Sequence, residues 1–160
     1  MEKDRKPIKR SAALTPLSHD HHEALLLVWK IRHGLKNDIE LNRISSYCLW
    51  FWRHHLEHHF EQEEKVLVPF FGIGSLYSSR LFTEHKAIRD LIKALSAEPD
   101  LALLEKLANT LNDHVRFEER TLFNEVEALA TPEQLGEIGE ALKEEKMAEL
   151  WEDEFWIIKR

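Results

Sequence analysis

The chain carries one cysteine, Cys48, among 160 residues. This excludes a disulfide framework and any cysteine cluster for zinc or iron–sulfur. A lone cysteine in an apolar helical stretch reads as a small buried hydrophobe. Glycine and proline number five each, so turns are few and an all-α protein is expected. No apolar run reaches the roughly 20 residues of a membrane span, and the basic stretch Met1 to Arg10 leads into no apolar signal core. A cytoplasmic protein with no membrane partner is the expectation. The formal net charge of −7 leaves no basic footprint for nucleic acid. What remains is a chain long enough for one domain with a proper core.

Five helical segments are legible. Thr15-Pro16 opens the first, with Thr15 as N-cap and Pro16 at the first position. Leu14, Leu17, His21, Leu25, Val28, Ile31 and Leu35 follow at helical spacing, and Gly34 and Asn37-Asp38 end it. The second runs from about Leu41 to about Phe70, with Cys48, Phe51/Trp52, His55, His59, Glu63, Val66 and Leu67 inward; Pro69 and Gly72-Ile73-Gly74 close it. The third extends from about Ser75 to Ser96, with Leu81, His85, Ile88, Ile92 and Leu95 inward. Asp100 is a plausible N-cap for the fourth, about Leu101 to Leu129, whose inner face is Leu104, Leu107, Leu111, His114, Glu118 and Leu122. Thr131-Pro132 caps a fifth, to about Trp156. Short connections make successive helices antiparallel neighbours. The predicted architecture is an up-down-up-down four-helix bundle over residues 13–130, preceded by a mobile segment at 1–12. A C-terminal helix at 131–160 packs on the bundle or serves a homodimer or protein partner.

One pattern occurs twice. His59-Phe60-Glu61-Gln62-Glu63-Glu64-Lys65-Val66-Leu67 returns as His114-Val115-Arg116-Phe117-Glu118-Glu119-Arg120-Thr121-Leu122. Both copies read His-x3-Glu-Glu-basic-x-Leu, and residues four apart on a helix share a face. Leu17-Ser18-His19-Asp20-His21 likewise resembles Leu81-Phe82-Thr83-Glu84-His85, each with an acidic residue before a His and a Leu one turn earlier. The chain reads as two helical hairpins related by a pseudo-twofold, each supplying a His and then a His-x3-Glu. The inward set is His21, His59, Glu63, His85, His114 and Glu118. A helical core holds such polar groups only where something binds them.

Imidazole with carboxylate is a donor set for a transition metal such as iron or manganese. Four imidazoles and two carboxylates exceed the needs of one tetrahedral zinc. The carboxylates can bridge two cations, each with terminal imidazoles, so the set suits two non-haem irons, with manganese or zinc as substitutes. Its formal charge of −2, against +4 for two ferrous ions, leaves positions for solvent, where O₂, nitric oxide or peroxide can bind. Ligands on all four helices also couple metal binding to folding.

These residues resemble the hemerythrin-like (HHE cation-binding) family over about residues 14 to 129. The resemblance implies a four-helix bundle with a carboxylate-bridged non-haem di-iron centre. Family members carry O₂, sense O₂ or iron, or help repair damaged iron–sulfur clusters. The oxygen carriers have a second His four residues after the third-helix His, where Arg89 stands here. They have an Asp five after the fourth-helix His, where this chain has Glu119, with Glu118 at the fourth. The four-His, two-Glu set is more similar to the repair proteins and the iron-sensing domains. The function implied is binding or sensing of a small diatomic or peroxide, or iron handling under stress. Two alternatives stand beside it: a di-iron enzyme reducing peroxide or nitric oxide, and a helical interaction module with a structural metal.

The remaining polar residues read more plainly. His21 lies on the apolar stripe and is favoured over the adjacent His22. His55, one turn before His59, reads either as a fifth imidazole or hydrogen-bond donor to the site, or as a polar residue near the bundle end. His54 and His58 are expected in solvent, and His33 near a helix end where it favours the dipole. Glu64 and Glu119 read either as groups that support the ligands from outside the set or, preferred here, as surface salt-bridge partners of Lys65, Arg120 or nearby bases. The aromatics, Phe60, Phe117 and Phe123 among them, read as core that also keeps a metal pocket dry. The tail aromatics Trp151, Phe155 and Trp156 are expected to pack back on the bundle.

Overall fold

The computed structural model describes residues 9–142 and 151–158, and no strand occurs among them. Four antiparallel rods form the bundle. Helix α1 covers Thr15–Lys36. The second rod joins α2 (Leu41–Phe51), a π-helical turn (Trp52–Leu56) and α3 (Glu57–Phe71) without a break. The third is α4, Leu76–Ala97. The fourth joins α5 (Leu101–Phe117), a second π-helical turn (Glu118–Leu122) and α6 (Phe123–Leu129). A short helix, α7, follows at Pro132–Ala141. Helix α1 packs along α5 and α2, and α4 packs along α3 and α5.

The helix ends have identifiable causes. Asp100 accepts from the Leu103 amide at 3.1 Å, and Ser75 accepts from Tyr77 at 3.0 Å. Thr131 and Gln134 form a reciprocal capping box that satisfies two orphan amides. Gly72, at φ 90°, ends α3 in a conformation that disfavours side chains. Thr15 is not the N-cap its sequence position suggests. A preceding turn already satisfies the first amides, with Leu14 and Thr15 donating to the Ser11 carbonyl at 3.1 Å. The Thr15 hydroxyl donates to that same carbonyl at 2.9 Å, so the helix begins without a side-chain cap.

The π-helical turn in the second rod changes its inner face. Buried positions run Ile44, Cys48, Phe51, then Leu56, Phe60, Glu63 and Leu67. The step from Phe51 to Leu56 is five residues rather than four, because the wider turn inserts one. Leu56 therefore takes the core position that regular spacing assigns to His55. On α1, Leu25 also departs from its expected inward place at 39% exposed, with Ala24 and Leu27 buried beside it.

The apolar core divides into two clusters. One contains Ile31, Ile44, Cys48, Phe51, Phe60, Ile88, Leu95, Leu104 and Leu111. The other contains Leu14, Leu17, Leu67, Leu81, Phe117, Leu122, Phe123, Val126 and Ile138. Each fully buried Leu, Ile or Phe contributes on the order of 1.5–3 kcal/mol, so both ends of the bundle are independently anchored. Every rod passes from one cluster to the other through its polar residues: Leu17 to His21 to Val28, Leu67 to Glu63 to Phe60, Leu81 to His85 to Ile88, Leu122 to Glu118 to Leu111. The polar residues thus form a layer between two apolar plugs.

The C-terminal stretch differs from the expected continuous helix. Part of it, residues 143–150, lies outside the described residues, and residues 151–158 are turn and irregular chain rather than helix. Their aromatics return to the bundle: Phe155 is 1% exposed and meets Tyr47 edge-on at 5.7 Å. Gly34 makes the room, since a Cβ there would stand 2.9 Å from both Phe155 Cε1 and Ile44 Cδ1. Arg43 grips Asp153 with two hydrogen bonds, at 2.7 and 3.0 Å. At the other terminus, residues 1–8 of the expected mobile segment lie outside the described residues. Its end is anchored, with the Arg10 side chain only 6% exposed.

Candidate metal centre

The six inward residues meet in the polar layer. Glu63, His85 and Glu118 are 0% exposed, His59 and His114 2%, and His21 3%; His22 faces solvent. They fall into two groups, His21, His59, Glu63 and Glu118, and Glu63, His85, His114 and Glu118, with the donor atoms of each group within 4.8 Å of one another. Both carboxylates belong to both groups. Glu118 Oε1 lies 2.8 Å from His21 Nε2 and 3.1 Å from His114 Nε2. Glu63 Oε1 lies 3.1 Å from His85 Nε2 and 3.3 Å from His59 Nε2. Each half thus offers two imidazoles and a share in two acids, the arrangement two bridged cations require.

The donor set can be tested for its fit to cations by asking what is left unmade without them. Buried polar groups in folded proteins are almost always hydrogen-bonded. Here His59 Nε2, Glu63 Oε2, His114 Nε2 and Glu118 Oε2 are buried without a hydrogen-bond partner. The two imidazole nitrogens approach Glu63 and Glu118 on their own helices but are not aligned to donate. Four stranded atoms at the centre of one chamber, two of them acid oxygens, fit cations in that chamber.

Electrostatics point the same way. Burial would lower the basicity of His114, but the charge and hydrogen bond of Glu118, with Glu84 and Glu63, together outweigh it and the imidazole is pushed up to about 10. His21 is raised as well, against its burial, by Glu118 and then Glu119. Burial and then the Glu118 charge push Glu63 up to about 8. Glu118, which burial would raise, is held well below the carboxylate range, chiefly by His114. Two acids that cannot both ionise cheaply, beside imidazoles that retain protons, make a chamber that favours added positive charge.

Around this layer runs a ring of outer carboxylates. His21 Nδ1 donates to Glu119 at 2.6 Å, His59 Nδ1 to Asp20 at 3.0 Å, His85 Nδ1 to Glu64 at 2.6 Å and His114 Nδ1 to Glu84 at 2.7 Å. Such bonds fix ring orientation and tautomer, aim Nε2 inward and raise its basicity as a ligand. Each outer acid adjoins an inner residue in sequence: Asp20 before His21, Glu84 before His85, Glu64 after Glu63 and Glu119 after Glu118. Glu64 and Glu119 do pair with nearby bases, Arg89 at 2.9 Å and Arg10 at 3.5 Å, but each also takes a histidine of the layer. Both face neighbouring imidazoles, because the rods sit side by side at this level. The sequence did carry a signal, in the acid preceding a His in one repeat and the doubled Glu in the other.

Aromatic rings close the layer. Phe60 stacks on His85 at 3.8 Å and 6°, and Phe123 on His21 at 5.2 Å and 5°. His55 is absent from both donor groups. It is half-buried among Trp50 and Phe51, at ring distances of 5.4 and 4.9 Å, displaced from the inner face by the π-helical turn. His58 is exposed and paired with Gln62 at 3.3 Å. His54, expected in solvent, is half-buried against Trp50 at 5.4 Å. His33 stacks on Trp29 at 4.6 Å near the end of α1.

No helix among the described residues is long and apolar enough to cross a membrane. No curated protein and no solved structure matches the chain. The family profile described as the hemerythrin HHE cation binding domain matches residues 12–126, a span that contains all four rods' contributions to the layer. With that match over most of its length, and with paired histidine and glutamate groups in the family's kind of helical bundle, the chain belongs to the hemerythrin HHE cation-binding domain family.

Proposed function

We propose that this protein holds a carboxylate-bridged pair of non-haem irons and uses it to bind or sense a small diatomic or peroxide, or to handle iron under stress. The observation that carries the reading is the sharing of Glu63 and Glu118 by two otherwise separate histidine pairs. His21 and His59 would hold one cation, His85 and His114 the other, and the two acids would serve both. The same nitrogen and oxygen donors accept manganese or zinc. When bound, ferrous ions supply redox-active Lewis-acid centres with positions left for a small ligand.

The chain's own residues do the rest. Asp20, Glu64, Glu84 and Glu119 hold the imidazoles in one tautomer. Phe60 and Phe123 shield the His85 and His21 rings, and the apolar plugs at either end keep water from the layer. A chamber with every proposed ligand under 4% exposed suits a small neutral ligand better than a bulky substrate, which favours binding or sensing over turnover of larger molecules.

The test is metal stoichiometry after anaerobic loading of the full chain with ferrous iron, followed by the visible spectrum on exposure to O₂ and to nitric oxide. Two irons per chain with ligand-dependent absorption is the expected result. One metal per chain, or full retention of metal in a Glu63→Ala, Glu118→Ala double variant, would overturn the proposal.

A further inference from the structure

Three of the four outer acids also accept from a guanidinium: Arg80 donates to Glu84 at 2.7 Å, and at the other two the guanidinium also approaches the ring stacked on the imidazole. Arg89 donates to Glu64 at 2.9 Å, Glu64 accepts from His85, and the Arg89 guanidinium lies 5.9 Å from the centre of Phe60, the ring stacked on His85. Arg10 reaches Glu119 at 3.5 Å, Glu119 accepts from His21, and the Arg10 guanidinium lies 5.6 Å from the centre of Phe123, the ring stacked on His21. The same four parts, guanidinium, acid, imidazole and phenyl ring, recur on both sides of the pseudo-twofold.

Their origins differ. Arg89 belongs to α4, four residues after the imidazole it supports. Arg10 belongs to irregular chain ahead of α1. Its partners all lie on the fourth rod: the Glu119 carbonyl at 2.7 Å, the Glu127 carboxylate at 2.9 Å and the Asn124 side chain at 3.1 Å. The Ser11 amide adds a bond to Glu127. The 3.5 Å approach to the Glu119 carboxylate is what links this seat to the polar layer, since the His21 imidazole and the Ser18 hydroxyl, at 2.8 Å, hold the same carboxylate.

We infer that Arg10 is a positioning residue for the metal centre, and that the segment entering α1 is latched onto the fourth rod by metal loading. This rests on the proposal that His21 is a ligand. A cation fixes His21, His21 fixes Glu119, and Glu119 completes the Arg10 seat. Linkage makes the effect reciprocal: whatever factor docking adds to metal affinity, metal adds to docking. Outer partners of metal-bound histidines are worth about 10–100-fold in affinity. Arg10 acts one step further out, so a loss of about tenfold is expected, confined to the His21–His59 half.

Limited trypsin digestion of the full chain, bare and loaded anaerobically with ferrous iron, reads the latch directly. Cleavage after Arg10 should slow by about tenfold on loading. In parallel, anaerobic iron titration of Arg10→Ala should show one of two sites weakened about tenfold, with Arg10→Lys partly restoring it and circular dichroism unchanged. Equal cleavage in bare and loaded protein, or two unaltered sites in Arg10→Ala, would overturn the latch while leaving the metal centre standing. Failure of the unmodified chain to load iron at all would remove both.

Discussion

Loading with metal should stabilise this fold by an amount that can be bounded in two ways. Four buried atoms lack partners in the polar layer, and an unsatisfied buried group costs about 1–3 kcal/mol, so relieving all four is worth at least about 4 kcal/mol. Mass action gives about 4.1 kcal/mol for each site at a free metal concentration a thousandfold above its Kd, so the figure from the four groups is a floor for two sites. For a chain of this size each kcal/mol moves Tm by about 2–4 °C, so ferrous iron should raise Tm by at least roughly 8–16 °C in anaerobic calorimetry. The paired perturbation is Glu63→Gln. Burial and then the Glu118 charge push Glu63 up to about 8, so metal-free protein favours its neutral form more than an ordinary carboxyl does. A neutral amide of the same shape should then change metal-free stability by less than about 1 kcal/mol, while the shared anionic ligand is lost and most of the metal-induced rise goes with it. An undiminished rise in Glu63→Gln would refute the bridging role. No rise in the unmodified chain would refute the site.

Three further outcomes are expected. Glu84→Gln removes the acid that accepts from His114 at 2.7 Å, and should weaken metal binding about 10–100-fold in a chelator competition, with the helical circular dichroism preserved. Phe155→Ala empties a 1%-exposed core position and should lower stability by up to about 3–5 kcal/mol in urea unfolding. The smaller values apply if the tail detaches, in which case the emission of Trp151 and Trp156 shifts to the red. Burial pushes the Cys48 thiol from an ordinary value near 9 up to about 12, so alkylation at pH 8 should proceed only through opening and track urea unfolding. The raised thiol also fixes a sign: its contribution to stability is whole below about pH 9, where the unfolded thiol begins to ionise, and is lost as pH rises toward about 12. Prompt labelling in native buffer would contradict the burial of Cys48.

The convergence of the six inward residues is legible because its signal is local. A His and a Glu four apart share a face whatever surrounds them, and the duplication supplied the second copy. His21 over His22 followed from the phase of Leu14, Leu17 and Val28. The outer acids were not assigned, because their role depends on which rod lies beside which, and at what height. Glu64 reads as a surface charge beside Lys65 until α4 brings His85 to within 2.6 Å of it. The place of His55 failed for a different reason. Counting in fours from Cys48 and Phe51 puts it inward, and only the wider turn at Trp52–Leu56 advances the count so that Leu56 is buried instead. Nothing in composition or spacing announces such a turn. Reading helix from Thr131 to Trp156 passes over Gly136 and Gly139; α7 ends at Ala141, and residues 151–158 are turn and irregular chain in which Phe155 fills a space that Gly34 leaves open.

The duplication explains more than the ligand count. Within each donor group both histidines and one glutamate come from a single hairpin, and the other hairpin contributes only its glutamate: His21, His59 and Glu63 with Glu118 from across, His85, His114 and Glu118 with Glu63 from across. A hairpin alone would thus hold a three-ligand half-site, and exchange of the two acids joins the halves. The outer ring repeats this logic. Asp20 with His59, and Glu84 with His114, are bonds within a hairpin, whereas Glu119 with His21, and Glu64 with His85, are bonds between hairpins. Each histidine pair therefore has one ring oriented by its own hairpin and one by the opposite hairpin. Neither donor group can be fully aligned until the two hairpins are in register, so the geometry that assembles the donor groups is the same geometry that closes the bundle.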